Sequence, residues 1–101
     1  MFVDMVGSLA LSHCLDPEVF GELIRDYRIV VSEAVDRFGG QVARYIGDGL
    51  LIYFGYPVAH ENDPLRAVHA ALDIVRVLNE RGDDFTRRFG APVRTRIGIH
   101  T

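Results

Sequence analysis

The sequence predicts an α+β fold in which helices cover one face of an antiparallel sheet. Three observations lead to this prediction: a glycine-flanked hairpin within Gly39–Phe54, an amphipathic helix before it, and a second helix and a last strand after it. Asp48 lies between Gly47 and Gly49, and glycine accepts the positive φ that a tight turn needs. Because an isolated hairpin is marginally stable in water, the flanking elements must supply more sheet and a helical layer.

The composition is that of one small globular domain or part of one: 101 residues, 49% of them hydrophobic and 25% charged. The net charge of −3 indicates no surface for nucleic acid or for an anionic membrane. The single cysteine, Cys14, excludes an internal disulfide and a cysteine-based zinc site, and we expect an inert packing thiol. No apolar run can span a bilayer and no signal peptide is recognisable, so we expect a cytoplasmic protein without membrane contact.

The first strand is predicted over Phe2–Val6, and Gly7 and Ser8 end it. This strand contains Asp4 within an apolar run. A carboxylate on a buried strand is unfavourable unless it has a partner, which is usually a cation.

The first long helix is predicted to begin at Asp16 and Pro17, an N-cap acceptor followed by proline at the first helical position. Gly39 and Gly40 then end the helix and lead into the hairpin. Between these signals, apolar residues at helical spacing form one wide face: Phe20, Leu23, Ile24, Tyr27, Val30, Val31, Ala34, Val35 and Phe38.

The hairpin strands are predicted over Gln41–Ile46 and Leu50–Phe54, and the second strand stops at Gly55-Tyr56-Pro57. Asp63 and Pro64 repeat the signal for a helix start, and the second amphipathic helix follows. Its apolar residues are Ala67, Val68, Ala71, Ile74, Val75 and Leu78, and the pattern fades over 81–84.

The end of the chain is predicted to contain a helical turn or loop over Phe85–Gly90 and then a strand over Val93–Ile99. The strand alternates in character, with Arg94 and Arg96 on a face that we expect to be solvated. The edge of this strand is open to pairing with a partner.

The predicted order β-α-β-β-α-β is that of the ferredoxin-like, or split βαβ, arrangement. A right-handed crossover makes the second strand parallel to the first. The end of the first strand and the hairpin turn then lie at the same edge of the sheet. We therefore expect Asp4 and Asp48 to be neighbours.

Two neighbouring carboxylates repel each other unless a cation lies between them. Hard oxygen ligands favour Mg²⁺, or Mn²⁺ as a substitute, with phosphate oxygens completing the coordination shell. The turn from Val6 to Leu9 offers backbone N–H groups to a phosphate. The pattern is therefore compatible with nucleoside triphosphate chemistry. The alternative is that Asp48 is simply a good turn residue and that Asp4 is a solvated acid at the end of a strand.

Five segments resemble the catalytic domain of class III nucleotidyl cyclases, in the right order and with the right spacing over nearly the whole chain. These segments are FVDMVGS at 2–8, Gly39-Gly40, YIGDGLL at 45–51, FGYP at 54–57 and RIGIHT at 96–101. The resemblance implies Mg²⁺-dependent conversion of ATP to cyclic AMP and pyrophosphate in intracellular signalling. It also implies a fold that is a truncated class III cyclase fold.

The resemblance also implies roles for individual residues. Asp4 and Asp48 match the two aspartates that bind two Mg²⁺ ions, with Mn²⁺ as a possible substitute, and the backbone carbonyl of Met5 matches a third ligand. The backbone N–H groups that match the phosphate cradle of the family are those of Val6, Gly7, Ser8 and Leu9. Leu9 departs from the threonine that relatives often carry there.

Arg44 matches the position where adenylyl-type members carry a purine-reading lysine and guanylyl-type members a glutamate. Arginine is a hydrogen-bond donor, so by charge it favours ATP over GTP. The alternative is that Arg44 is a strand arginine that faces solvent.

The resemblance places the rest of the active site outside this chain. The family's second base-reading residue and its transition-state asparagine and arginine lie on later strands and act across a homodimer interface. We therefore expect residues 1–101 to be a partial catalytic domain that is inactive, or nearly so, by itself. Three alternatives stay open: an inactive cyclase-like regulatory or dimerisation module, a guanylate cyclase, and a diguanylate cyclase. The last is disfavoured because the acidic Gly-Gly-Asp/Glu-Glu-Phe signature is absent at Gly39–Arg44.

Overall fold

The computed structural model describes residues 1–55 and 61–100. These residues form one four-stranded sheet and four helices: β1 Phe2–Met5, α1 Ser8–Cys14, α2 Pro17–Arg37, β2 Gln41–Ile46, β3 Gly49–Tyr53, α3 Asp63–Glu80, α4 Gly82–Phe89 and β4 Thr95–Gly98. The strand order is β2-β3-β1-β4, and each neighbouring pair is antiparallel. The predicted ferredoxin-like α+β fold is thereby confirmed, and β2 runs parallel to β1 as expected.

The core lies between the helices and one face of the sheet. Strand β1 alternates, since Val3 and Met5 are buried while Phe2 is exposed. The apolar face of α2 forms much of the helical layer, as its spacing predicted. The core combines buried residues of α2 with buried residues of β3, α3 and α4. The α2 residues are Leu23, Tyr27, Val31 and Val35, and the others are Leu50 and Ile52 of β3, Ile74 of α3 and Phe85 of α4.

The two long helices are joined by an ion-pair network around Asp73, a buried carboxylate on α3. Arg37, at the end of α2, donates to it through Nε at 2.9 Å and also through Nη2. Arg76 donates to its other oxygen at 2.6 Å. Although burial raises the pKa of Asp73, the hydrogen bonds and charges of these two arginines lower it below its usual value on balance.

Glycine ends α2 and forms the hairpin turn, as predicted. Gly39 has φ +76°, and the N–H of Gly40 donates to the carbonyl of Val35, which closes the helix end. In the hairpin, Ile46 lies opposite Gly49, so the turn consists of Gly47 and Asp48. Gly47 has φ +60°.

Several details differ from the sequence prediction. Helix α1 was not predicted as a separate element, because none of its residues is buried and its sequence shows no core-facing stripe. Segment 82–89 is a regular helix whose buried residues are Phe85 and Phe89. Strand β4 is shorter than the predicted Val93–Ile99. Cys14 is exposed, so its interpretation as a packing thiol is wrong.

Two predictions concern residues outside the described ranges. The stop at Tyr56-Pro57 and the final residue of the last matching segment, Thr101, lie outside the described residues. Within the described ranges, no helix combines the length and apolar character needed to cross a membrane.

Candidate active site

The sheet register brings Asp4 and the turn that carries Asp48 to the same end of the sheet. Val3 lies opposite Leu50, so the next residue of β1, Asp4, lies at the level of Gly49. Asp48 directly precedes Gly49. The charges of both carboxylates raise the pKa of the Arg96 guanidinium, after the larger effect of its hydrogen bond to Asp4. The predicted neighbourhood of the two aspartates therefore follows from the strand pairing.

Asp4 is paired with Arg96, its cross-strand neighbour on β4. Nε of Arg96 donates to one carboxylate oxygen at 3.0 Å, and Nη2 donates to the other at 2.9 Å. The Asp4 side chain is 19% exposed and that of Arg96 is 73% exposed. The cation that a carboxylate on a buried strand requires is thus an arginine. Arg96 lies on a solvated face, as predicted, and the sequence did not indicate its ion pair with Asp4.

The backbone at Asp4 is also held from the core side. Thr95 Oγ1 donates to the carbonyl oxygen of Asp4 at 3.2 Å and lies 2.8 Å from the hydroxyl of Tyr27 on α2. Burial raises the pKa of Tyr27 to about 12; the hydrogen bond with Thr95 opposes this shift, and the charges of Asp4 and Asp48 add to it. These contacts fix Asp4 with respect to both α2 and β4.

Asp48 has a different environment. Its side chain is half-buried and makes no hydrogen bond or ion pair with any residue that the structure describes. It lines a cleft of about 280 Å³ together with Gly47 and, from the beginning of α1, Ser8 and Leu9. A carboxylate without a partner therefore faces the start of a helix across a cleft.

The predicted phosphate cradle is only partly available. The N–H of Val6 donates to the carbonyl of Arg94 at 2.9 Å, so this donor is engaged in the sheet, and its role in phosphate binding stays a prediction. Gly7, at the N-cap of α1, has φ +74°, and its carbonyl accepts from Leu11. The first N–H groups of the helix, at Ser8 and Leu9, have no intrahelical acceptor and point out of its N-terminus.

Arg44 lies on the same face of the sheet as Asp4. It pairs with Leu51, which in turn pairs with Phe2, two residues before Asp4 on β1. Directly opposite residues share a face, and so do alternate residues of a strand. A register shift between Val42 and Arg44 sets this orientation, because one extra residue of β2 is inserted there. Arg44 is exposed on the face opposite the core.

The residues present fit a divalent cation such as Mg²⁺ that shares its coordination shell with a phosphate. Mg²⁺ is typically held by one or two carboxylates with phosphate and water oxygens, and Asp4 and Asp48 supply such a pair. No group of three or more His, Cys, Asp or Glu side chains that could enclose an ion occurs among residues 1–55 and 61–100. Met5 ends β1 beside Asp4, and its side chain is buried, so only its backbone carbonyl is a candidate ligand.

Sequence reasoning missed the cationic partner of Asp4 and the contact that holds the turn carrying Asp48. Arg96 could have been found by pairing the predicted last strand with the first, since the Asp4 position calls for a cation. Arg28, which contacts the hairpin turn from α2, leaves no signal in the sequence because its partner is a backbone carbonyl.

Comparisons with known proteins find cyclases that are similar to this chain. The chain is 28% identical over 104 residues to an adenylate cyclase of Anabaena cylindrica, covering 99% of this chain and 20% of that protein. It is 30% identical over 102 residues to adenylate cyclase 1 of Rhizobium meliloti (strain 1021), covering all of this chain and 15% of that protein. No family model matches the chain.

Solved structures give the same result for the fold. The guanylyl cyclase Cya2 superposes with a TM-score of 0.84 at 27% identity, covering 93% of this chain and 48% of that one. The adenylyl cyclase CyaB from P. aeruginosa superposes with a TM-score of 0.88 at 25% identity, covering 97% of this chain and 52% of that one. Over most of its length the chain is similar to class III adenylyl and guanylyl cyclase domains. It spans about half of these solved chains and 20% or less of the two curated relatives.

Proposed function

We propose that the chain is the metal- and phosphate-binding part of a cytoplasmic class III cyclase domain that converts ATP to cyclic AMP and pyrophosphate. The observation that supports this proposal best is that Asp4 and the turn carrying Asp48 lie at the same end of the sheet, where Asp48 lines a cleft with the beginning of α1. Carboxylates alone bind a cation weakly, but carboxylates beside free helix N–H groups suit a cation together with a phosphate.

In this proposal Asp4, Asp48 and the carbonyl of Met5 hold two Mg²⁺ ions, for which Mn²⁺ can substitute. The bound ions would lower the pKa of the ribose 3′-hydroxyl and neutralise the triphosphate. The N–H groups of Gly7, Ser8 and Leu9 would orient the β- and γ-phosphates. The 3′-hydroxyl would lose its proton to solvent, and its oxygen would attack the α-phosphorus in line. The bond from that phosphorus to the bridging oxygen would break, and pyrophosphate would leave. The chain's own contribution is positioning and charge stabilisation.

Arg44 would read the purine from the outer face of the sheet. Its charge favours an acceptor nitrogen of adenine, whereas a guanine carbonyl is a second acceptor that it can reach chemically. We therefore propose ATP as the substrate and GTP as the alternative. The remaining catalytic groups would come from the other half of the domain and from a second protomer in a homodimer.

The alternative is a cyclase-like module that regulates or dimerises without turnover. The bidentate pairing of Asp4 with Arg96 favours it, because both oxygens of one candidate ligand already have a cationic partner. A module of this kind would form no cyclic nucleotide even when the rest of the domain is supplied, which makes the two functions distinguishable.

The test measures cation binding by the chain and product formation by a chimera. Mn²⁺ binding to the chain is followed by electron paramagnetic resonance, with ATP or GTP added. The chimera joins the chain to the second half of the CyaB domain and is assayed for cyclic AMP and cyclic GMP with Mg²⁺ or Mn²⁺. Asp48→Ala should reduce product by about 100-fold or more, as expected for loss of a group that stabilises transition-state charge. Asp83→Ala removes an equal charge from the exposed start of α4 and should have no effect.

Two results would reject the cyclase proposal. One is a chain whose Mn²⁺ binding is unchanged by Asp48→Ala. The other is a folded chimera that forms cyclic nucleotide equally well with Asp48→Ala. Cation-dependent ATP binding without any product would select the regulatory module, and product from GTP alone would change the substrate.

A further inference from the structure

Arg28 connects α2 to the turn that carries Asp48. Its Nη2 donates to the carbonyl oxygen of Gly47 at 2.6 Å. Its guanidinium carbon lies 4.6 Å from the ring centroid of Tyr45 on β2, which is a cation–π distance. Its Nε is buried and has no hydrogen-bond partner within the described part of the chain. The guanidinium is therefore held between one aromatic ring and one backbone carbonyl.

The carbonyl that Arg28 contacts belongs to the peptide group between Gly47 and Asp48, the central peptide of the two-residue turn. Type I′ and type II′ turns differ by rotation of this peptide, which changes ψ of the first central residue and φ of the second together. Gly47 has φ +60°, and no non-glycine residue in the described ranges has a positive φ, so the turn has the II′ pattern. A donor fixed on this carbonyl holds the peptide plane and thereby the direction of the Asp48 side chain.

We propose that Arg28 is a positioning residue that fixes the Asp48 carboxylate for cation binding by holding the Gly47 carbonyl. This inference rests on the proposed function, because it takes Asp48 as a metal ligand. Arg28 belongs to α2, whose apolar face packs in the core. Its contact with Gly47 therefore connects the turn that carries Asp48 to a long, well-packed helix. A groove of about 700 Å³ is lined by Arg28 and Tyr45, among other residues, but not by Asp4 or Asp48.

The positioning role and simple electrostatics predict changes of opposite sign. Arg28 carries a positive charge near a proposed cation site, so removing that charge would by itself strengthen Mn²⁺ binding. Loss of the contact with Gly47 frees the turn peptide and would weaken binding. The sign of the change therefore identifies which effect dominates.

The experiment compares Mn²⁺ affinity and amide hydrogen exchange in the 101-residue chain and four variants. Arg28→Ala and Arg28→Met remove the donor, and the methionine keeps the aliphatic length if alanine fails to fold. Arg28→Lys keeps the charge and one donor. Arg25→Ala removes a charge three residues earlier on α2, from a side chain that makes no hydrogen bond or ion pair within the described residues.

We expect Arg28→Ala and Arg28→Met to weaken Mn²⁺ binding by about tenfold and to speed exchange of the amides at 47–49. Arg28→Lys should recover part of both properties, and Arg25→Ala should bind Mn²⁺ as tightly as the unsubstituted chain or slightly more tightly. Unchanged or tighter Mn²⁺ binding by folded Arg28→Met, with unchanged exchange at 47–49, would overturn the inference. If the unsubstituted chain does not bind Mn²⁺, the proposed function fails, and the exchange measurement alone decides whether Arg28 holds the turn.

Discussion

At the scale of single residues, Asp4 lies where a cation is required, and the guanidinium of Arg96 occupies that place. The pair joins adjacent strands and leaves Arg96 largely in solvent. Exposed pairs of this kind contribute little to stability, because water screens them and holding two side chains costs entropy. A metal ion that binds Asp4 would therefore compete with Arg96 at a modest energetic cost.

Replacing Arg96 with glutamine removes this competing cation. We expect Arg96→Gln to strengthen Mn²⁺ binding to the chain about threefold to fivefold, because an exposed ion pair is only a weak competitor for the metal. Isothermal titration calorimetry without nucleotide measures the change. Arg94→Gln is the matched control, since this neighbouring side chain is exposed and makes no ion pair within the described residues. Equal affinities for the two variants would show that Arg96 does not compete with the metal.

At the scale of the elements, glycine has a different role in the hairpin and in α2: the hairpin turn needs its positive φ, whereas the helix does not. Gly47 requires glycine because its φ is positive, although a Cβ there would meet nothing within 4 Å. Gly21 lies on the exposed side of α2, where a Cβ would also meet nothing, and its backbone is helical. The space around the two residues is the same, so only backbone conformation distinguishes them.

Alanine at these two positions should therefore change stability with opposite signs. Gly47→Ala is expected to lower the free energy of unfolding by about 1 to 2 kcal/mol, the cost of a left-handed conformation for an L-residue. Gly21→Ala is expected to raise it by about 0.5 to 1 kcal/mol, because alanine loses less backbone entropy in a helix. Urea denaturation followed by circular dichroism measures both. A stabilising Gly47→Ala would contradict the assigned turn.

At the scale of the whole molecule, Tyr27 joins the helical layer to the sheet at the candidate site. Its ring is fully buried, and its hydroxyl contacts Thr95 of β4, which donates to the β1 carbonyl of Asp4. The tyrosine is therefore packed on its apolar sides and hydrogen-bonded at its polar tip, as a buried tyrosine should be.

This contact predicts a loss of stability at alkaline pH. Burial raises the pKa of Tyr27 to about 12 in the folded chain, against about 10 for an unfolded tyrosine. A raised pKa means that the folded state holds the proton more tightly, so its stabilising effect is complete below about pH 10 and is lost by about pH 12. We expect the free energy of unfolding to fall by about 2 kcal/mol over this interval.

Urea denaturation at a series of alkaline pH values tests this expectation. Tyr27→Phe should show a flatter profile, whereas Tyr45→Phe, at a half-exposed tyrosine, should decline like the unsubstituted chain. Parallel declines in both variants would mean that Tyr27 is not the group responsible.

The main elements and the turn that carries Asp48 could be predicted without the coordinates. The signals behind these predictions are local, so they can be recognised without knowledge of the tertiary structure. They are the apolar stripe of α2, the start signal of α3 and the glycines around Asp48. The crossover rule then predicted that Asp4 and Asp48 share one end of the sheet, and the strand register agrees. The metal-binding role of this pair stays a prediction.

The contacts of the site residues became apparent from the three-dimensional arrangement and could not be predicted. Arg96 meets Asp4 across 92 positions of sequence, Arg28 reaches a backbone carbonyl, and Val6 uses its N–H within the sheet. The physical reason is that periodicity records which side of an element is buried, whereas a partner depends on strand register and on side-chain length in three dimensions. Helix α1 escaped prediction for the same reason, since an element that buries none of its residues leaves no pattern to detect.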